Sequence, residues 1–144
     1  MTLQDQQHIK QKGYALAVRY IANATEMLKK AGRDGRYFDD PKYVSSASGI
    51  AYRGVLEALD TWLELKGVKV PKNDARGKTR GKSIDFYRGH LTSLDKRLLK
   101  DLNGAYEALH LAGYYDCVLF TRTIDEGFKI ANEIVEKIKP AEVA

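Results

Sequence analysis

Apolar residues recur at three- and four-residue steps along most of the chain, a spacing that places them on one face of a helix. The pattern predicts four long helices, over about residues 4–31, 41–66, 93–113 and 117–139, and a short helix over 83–91. Most β-branched residues stand inside these periods, so strand signals are weak. The predicted fold class is all-α, an antiparallel up-and-down bundle of four to five helices.

Helix boundaries are marked by residues suited to helix ends. Asp40 followed by Pro41 predicts the start of the second helix, because the carboxylate accepts from unpaired backbone N–H groups and proline needs no partner there. Ser83 is the predicted N-cap of the short helix, and Ser93 or Asp95 that of the next.

Several predicted core positions follow from the same periods. In the first helix the predicted core face includes Leu16 and Tyr20, and in the last it includes Cys117 and Phe120. Small residues in the second helix allow a neighbouring helix to approach closely, so we expect them to be buried inside the bundle or between protomers. These residues are Ala47, Ala51, Gly54 and Ala58.

Length and composition indicate one soluble domain over residues 1–144, with a core over about 4–139 and a basic connecting loop over 67–82. No apolar run approaches the roughly 18 residues that span a bilayer. The single cysteine forms no internal disulfide, and the first residues lack the apolar stretch of a secretory signal. We therefore expect a cytoplasmic protein without a membrane segment.

A cluster of cations before the short helix supplies most of the formal net charge of +5. Three roles fit such a loop. It solubilises the domain without binding a ligand, it contacts phosphates without sequence preference, or it binds an acidic protein surface. The first reading is favoured. The candidate polyanion-binding residues are Lys72, Arg76, Lys78, Arg80, Lys82, Arg88 and His90.

The candidate catalytic and metal-binding residues of the chain do not form a recognisable active site. On a helix, Arg88 and His90 lie about 200° apart, which argues against one shared centre. Glu107 and His110 have the spacing of a metal-ligand pair but lack further ligands, so an exposed hydrogen-bonded pair is preferred. Cys117 has no identifiable base beside it. We predict no catalytic residue, metal site or cofactor.

Tyrosine is abundant, with nine residues spread along the chain. Such rings can stack on nucleobases, but we expect most to lie at the core boundary with their hydroxyls toward water. The turn at Tyr114, Tyr115 and Asp116 is predicted to hold the last two helices together.

Two segments carry a resemblance to a known family: AYRGVLEALDTWLELKG at 51–67, and AYEALHLAGYYD with GFKIANEIVEKI at 105–138. In helix order and residue character, residues 10–139 resemble the HEPN superfamily. The resemblance implies a four- or five-helix bundle, often dimeric. The superfamily includes metal-independent ribonucleases of toxin systems, partners of small nucleotidyltransferases, and catalytically silent domains.

Ribonuclease members of that superfamily carry an arginine four to six residues before a histidine. His90 would need arginine within 83–85 and His110 within 103–105, and neither range contains one. His8 is preceded at those positions by residues 1–3, which also lack arginine. The sequence therefore predicts a noncatalytic helical module that acts by association, as a homodimer or with a protein partner. The alternative is a nucleotide- or RNA-binding protein of a toxin or nucleotidyltransferase system with divergent activity.

Overall fold

A computed structural model describes residues 1–71 and 83–141. The described elements, in chain order, are α1 Leu3–Lys29, β1 Arg33–Asp34, β2 Tyr37–Phe38, α2 Pro41–Leu65, α3 Ile84–Leu94, α4 Lys96–Ala105, a π-helix Tyr106–Tyr115, and α5 Thr121–Glu136. The chain is mostly helical, and its two short strands form one antiparallel pair. The predicted all-α class is confirmed.

Capping residues explain where the helices begin. The Thr2 hydroxyl accepts from the Asp5 N–H and the Asp5 carboxylate accepts from the Thr2 N–H, a reciprocal capping box for α1. Asp40 caps α2 through a 3.0 Å hydrogen bond from the Lys42 N–H, with Pro41 at the first helical position as predicted. Asp95, one of the two predicted alternatives, caps α4 by accepting from the Leu98 N–H.

The first two helices form an antiparallel pair held at close range by glycine. Gly54 of α2 faces Ile21 of α1, and a methyl group on Gly54 would lie 2.9 Å from Ile21 Cδ1. Farther along the pair, Gly13 of α1 faces Thr61 of α2. Because residue numbers rise on α1 as they fall on α2, the two helices run in opposite directions.

The same antiparallel relation continues through the rest of the bundle. Gly104 of α4 faces Ile130 of α5, while Gly127 of α5 faces Leu109 of the π-helix. The short helix α3 packs beside these, with the Tyr87 hydroxyl donating to Asp60 Oδ1 at 2.8 Å on α2. Four antiparallel segments and one accessory helix therefore enclose the core.

The predicted small-residue face of α2 is buried inside the bundle, as its full burial at Ala47, Ala51 and Ala58 shows. The predicted core face of α1 is confirmed at Ala24, Leu28 and Ala31, and was wrong at Leu16. The structure buries Ala17 and Ile21, and leaves Leu16 exposed. Packing against α2 sets this face, because Gly54 leaves space that the Ile21 side chain occupies.

The last helix begins later than its apolar period predicts. Thr121 is its first residue, so Cys117 and Phe120 lie in the preceding connection. Cys117 has a positive φ of 52°, is half-buried, and donates its thiol hydrogen to Pro41 O at 3.2 Å. The Phe120 side chain is 47% exposed. The placement of both residues on the core face of a helix was therefore wrong.

The β1–β2 hairpin connects α1 to α2 and also contacts the connection before α5. The Phe38 N–H donates to Leu119 O, and the Thr121 N–H donates to Arg36 O, each at 2.9 Å. The Arg33 guanidinium adds a bidentate contact to the Asp125 carboxylate of α5. In the part of the chain that the structure describes, no helix is long and apolar enough to cross a membrane.

Candidate functional site

Five of the seven predicted polyanion-binding residues lie outside the described residues: Lys72, Arg76, Lys78, Arg80 and Lys82. The other two, Arg88 and His90, both lie on α3. The contacts of these two side chains can therefore be compared with the prediction.

Arg88 and His90 do not converge. The Arg88 Nε donates to Asn103 Oδ1 at 2.8 Å, and its guanidinium lies 5.1 Å from the centre of the Tyr106 ring. The His90 ring instead meets the Phe86 ring edge-to-face at 4.9 Å. The predicted separation of the two side chains agrees with these different partners, and no shared acid–base centre forms from this pair.

The Arg88 guanidinium lies beside a set of aromatic rings that we call the tyrosine–histidine cluster. Its members are Tyr52, Tyr106, His110, Tyr114 and Tyr115. The imidazole of His110 stacks on the Tyr52 ring at 4.9 Å and on the Tyr106 ring at 5.2 Å. It stacks on Tyr114 at 6.1 Å and meets Tyr115 edge-on at 5.1 Å. These separations match the range over which aromatic rings attract one another.

The π-helix is what brings Tyr115 to His110. In an α-helix, two residues five positions apart point about 140° away from each other. A π-helix pairs each residue with the fifth one along, so such residues lie above one another. The Asp116 N–H bonds to Leu111 O at 2.8 Å in this spacing. The wider turn therefore gathers side chains that an α-helix would separate.

Anchoring to α2 fixes the exposed end of the cluster. The Ser45 hydroxyl donates to Tyr114 O at 3.1 Å, and Gly49 leaves room for the Tyr114 ring. The side chains of Tyr114 and Tyr115 remain 48% and 68% exposed. This hydrogen bond holds the π-helix to α2, whereas the predicted role of the turn in holding the last two helices together stays a prediction.

Burial sets the protonation preferences inside the cluster. It lowers the pKa of His110, so the neutral imidazole is favoured in the folded chain. Burial, followed by the proximity of Tyr106, raises the pKa of Tyr52 far above its ordinary value. Both groups are therefore held neutral, and the cluster presents apolar rings and uncharged polar atoms to its surroundings.

The segment that carries most of the cluster differs in charge from the rest of the chain. Residues 106–120 contain no lysine or arginine, although the chain has 24 of them among 144 residues. Glu107 and Asp116 are the charged residues of this stretch. A surface rich in tyrosine and poor in lysine is typical of the centre of a protein interface.

The family model described as "Domain of unknown function (DUF5618)" matches residues 12–140. The chain belongs to the DUF5618 family. It is also similar to a solved structure, a protein of unknown function from Dyadobacter fermentans, with 32% sequence identity and a TM-score of 0.73. The similarity covers 90% of this chain and 94% of that chain. No curated protein matches.

The described residues of this DUF5618 chain contain no group of three or more histidine, cysteine, aspartate or glutamate side chains that could hold a metal ion. Glu107 is exposed, whereas His110 packs among the tyrosine rings. Among the described residues no hydrogen bond joins the two side chains, so the predicted hydrogen-bonded pair was wrong. The π-helix explains the difference, because it changes which residues share a face.

Sequence reasoning missed the cluster in this DUF5618 domain, although a signal was present. Tyr106, His110 and Tyr114 follow one another at four-residue steps. That spacing places three rings along one side of a helix, where they can stack. The contribution of Tyr52 from α2 and of Tyr115 through the π-turn depends on tertiary structure.

Proposed function

We propose that this DUF5618 domain is a noncatalytic, HEPN-like cytoplasmic module that acts by association, as a homodimer formed through the tyrosine–histidine cluster. The observation that carries the proposal is the exposure of Tyr114 and Tyr115 beside an ordered, uncharged ring stack. Exposed aromatic groups on a fixed backbone are characteristic of binding surfaces, since they offer large contact areas at a small cost in conformational entropy.

Charge supports a second copy as the occupant. Two molecules of net charge +5 repel each other, and the repulsion is smallest where lysine and arginine are missing. Residues 106–120 lack lysine and arginine, and Arg88 of α3 lies beside the Tyr106 end of this segment. A two-fold interface pairs one patch with itself, so a patch made mainly of neutral rings suits it. The HEPN resemblance, with its dimeric members, favours the same arrangement.

The absence of catalysis is proposed from the surroundings of the polar groups. Arg88 is engaged by Asn103 and Tyr106, and His90 faces Phe86. Neither residue meets the other within the described ranges, and the arginine–histidine spacing of ribonuclease members is missing from the sequence. These residues support a HEPN-like domain that binds without cleaving.

Analytical ultracentrifugation tests the assembly. We expect wild-type protein at micromolar concentration to sediment near twice 16.2 kDa. Tyr115→Lys places an ammonium on the proposed two-fold surface and should shift the protein to monomer, because each charge would then face its copy. Val18→Lys, at an exposed apolar residue of α1, adds the same charge elsewhere and should remain dimeric.

A wild-type protein that sediments as a monomer at all concentrations would refute the homodimer. A Tyr115→Lys dimer as tight as the wild type would show that the association uses another surface. Circular dichroism of both variants should match the wild type, because both side chains point outward in the monomer.

Nucleotide or RNA binding is the second candidate function. The observation in its favour is a spatial arrangement in which the Arg88 guanidinium lies beside a row of aromatic rings. The rings are those of Tyr106, His110 and Tyr115. Nucleobases stack on such rings while arginine meets phosphate. The salt dependence of RNA affinity separates this function from homodimer formation.

A further inference from the structure

A surface cavity of about 490 Å³ lies at the opposite end of the bundle from the tyrosine–histidine cluster. It opens between the start of α1, the end of α2 and the residues that follow α5. Its α2 residue Trp62 is 17 positions along that helix from Ser45, which contacts Tyr114. At 1.5 Å per residue the two sites are about 25 Å apart.

The charged side chains that line this cavity are all lysines. Lys10 comes from α1, Lys66 follows α2, and Lys137 follows α5. Each therefore comes to the cavity from a different part of the chain, and no aspartate or glutamate is among the lining residues that the structure describes. Three lysines that line one space, with no carboxylate among the described lining residues, favour a ligand with more than one negative charge.

The remaining lining is suited to a flat organic group. Trp62 is half-buried in the wall, with the Lys66 ammonium 5.2 Å from the centre of its ring. Three glutamines of α1 add carboxamides that donate and accept hydrogen bonds. The volume falls within the range of roughly 300–1,000 Å³ typical of small-molecule sites.

We propose that this cavity binds a small phosphate monoester whose organic part is an aromatic ring. The phosphate, with a charge of about −1.5 to −2 near neutral pH, meets Lys10, Lys66 and Lys137. The ring contacts Trp62, which supplies the aromatic surface of the wall. This site is independent of the proposed association through the tyrosine–histidine cluster.

The composition of the chain provides a direct reporter. Trp62 is the only tryptophan, so its indole N–H gives a single signal in a nitrogen-15 correlation spectrum. Phenyl phosphate is the test ligand. We expect it to shift that signal saturably in the millimolar range or below, as suits a ligand of this size. Inorganic phosphate, phenol and benzoate should each bind more weakly, because each lacks the ring or part of the charge.

Replacing the three cavity lysines separates a specific site from general attraction to a basic protein. The variant Lys10→Gln/Lys66→Gln/Lys137→Gln should bind phenyl phosphate roughly 8-fold to 27-fold more weakly, since each ammonium contributes roughly twofold to threefold. The control Lys96→Gln/Lys100→Gln/Lys129→Gln removes the same charge from exposed positions outside the cavity. It should retain wild-type affinity.

Equal losses in the two triple variants would overturn the proposal, because they would show general electrostatic attraction. An indole signal that phenyl phosphate does not move would also overturn it. So would phenol binding as tightly as phenyl phosphate, since the lysines would then have no role. Wild-type titrations alone decide the last two outcomes, so they do not depend on the variants folding.

Discussion

His110 occupies an unusual place for a residue that titrates near neutral pH, since rings from two helices surround it. Tyr52 reaches it from α2, and Tyr106 and Tyr115 from its own helix. The sequence showed the histidine and its four-residue spacing from two tyrosines. It did not show the ring from α2, because that contact depends on how the helices pack.

The lowered pKa of His110 predicts a pH dependence of stability. As pH falls below the ordinary value of 6.5, the unfolded chain takes up the proton before the folded chain does. The free energy of unfolding is therefore highest above about pH 6.5 and declines toward the folded pKa. Urea unfolding at about pH 7.5 and about pH 5.5 measures this decline.

The variant His110→Gln should unfold with a smaller difference between the two pH values, because the titrating group is gone. His8→Gln, which changes an exposed histidine of α1, is the matched control and should retain the wild-type difference. If His110→Gln keeps the full pH dependence, His110 is not its source.

Single residues also show which parts of the fold were predictable. Asp40 and Pro41 act locally, so their sequence was enough to predict where α2 begins. The apolar pattern predicted the core face of α1 at Ala24 and Leu28 but not near residue 16. Leu16 is the larger apolar residue, yet Ala17 is the buried one. The buried face of α1 depends on how the helix packs against α2, where Ile21 meets Gly54, and a hydrophobic pattern does not record that contact.

At the scale of the helices, the approach of α1 to α2 depends on Gly54. A methyl group there would lie 2.9 Å from Ile21 Cδ1 and 3.1 Å from Tyr20 Cβ. We expect Gly54→Ala to lower the free energy of unfolding by about 1–3 kcal/mol through overpacking. The better helix former offsets about 1 kcal/mol of this cost, so we expect a net loss of up to about 2 kcal/mol.

Gly89 provides the matched control for Gly54, since it lies inside α3 with nothing within 4 Å of an added methyl group. Gly89→Ala should raise the free energy of unfolding by roughly 0.5–1 kcal/mol, because only the helix propensity changes. Urea denaturation measures both variants. A stabilised Gly54→Ala protein would show that the two helices separate without cost.

The π-helix is the element that sequence reasoning did not predict. Residues 93–113 have a satisfactory α-helical apolar period, and nothing in that period indicates a wider turn. Two contacts from α2 meet the π-helix. The Ser45 hydroxyl donates to Tyr114 O, and Gly113 packs against Ser48. Both contacts come from α2, about 65 residues earlier in the chain. Such contacts override local preference.

For the whole molecule, the all-α class followed from periods that cover most of the chain, and the structure agrees. The predicted binding residues fared differently. Arg88 lies beside the tyrosine–histidine cluster, whereas His90 lies apart from it. Charge alone does not specify a site, because a site also requires groups that tertiary structure brings together.

The basic segment allows the two candidate functions to be distinguished. If association with a second copy is the function, labelled single-stranded RNA should bind weakly, with a shallow dependence on salt. If RNA is the ligand, affinity should fall with a slope of about −0.7 per phosphate contact. The variant Arg76→Gln/Lys78→Gln/Arg80→Gln should then reduce the slope by roughly 2.

Fluorescence anisotropy at several salt concentrations makes this measurement, and we expect the shallow slope. The Lys96→Gln/Lys100→Gln/Lys129→Gln protein removes the same charge elsewhere and serves as the control. A steep slope that flattens in the Arg76/Lys78/Arg80 variant but not in the control would favour RNA binding over association.

The π-helix also affects how the chain tolerates changes in length. Each of its turns accommodates about one residue more than an α-helical turn. Deleting one residue between Tyr106 and His110 therefore favours closure as an ordinary α-helix, in which His110 and Tyr115 remain five positions apart. Tyr115 would then rotate away from His110, while the bundle kept its helical content. A change of one residue in length thus separates the fold from the arrangement of rings on its surface.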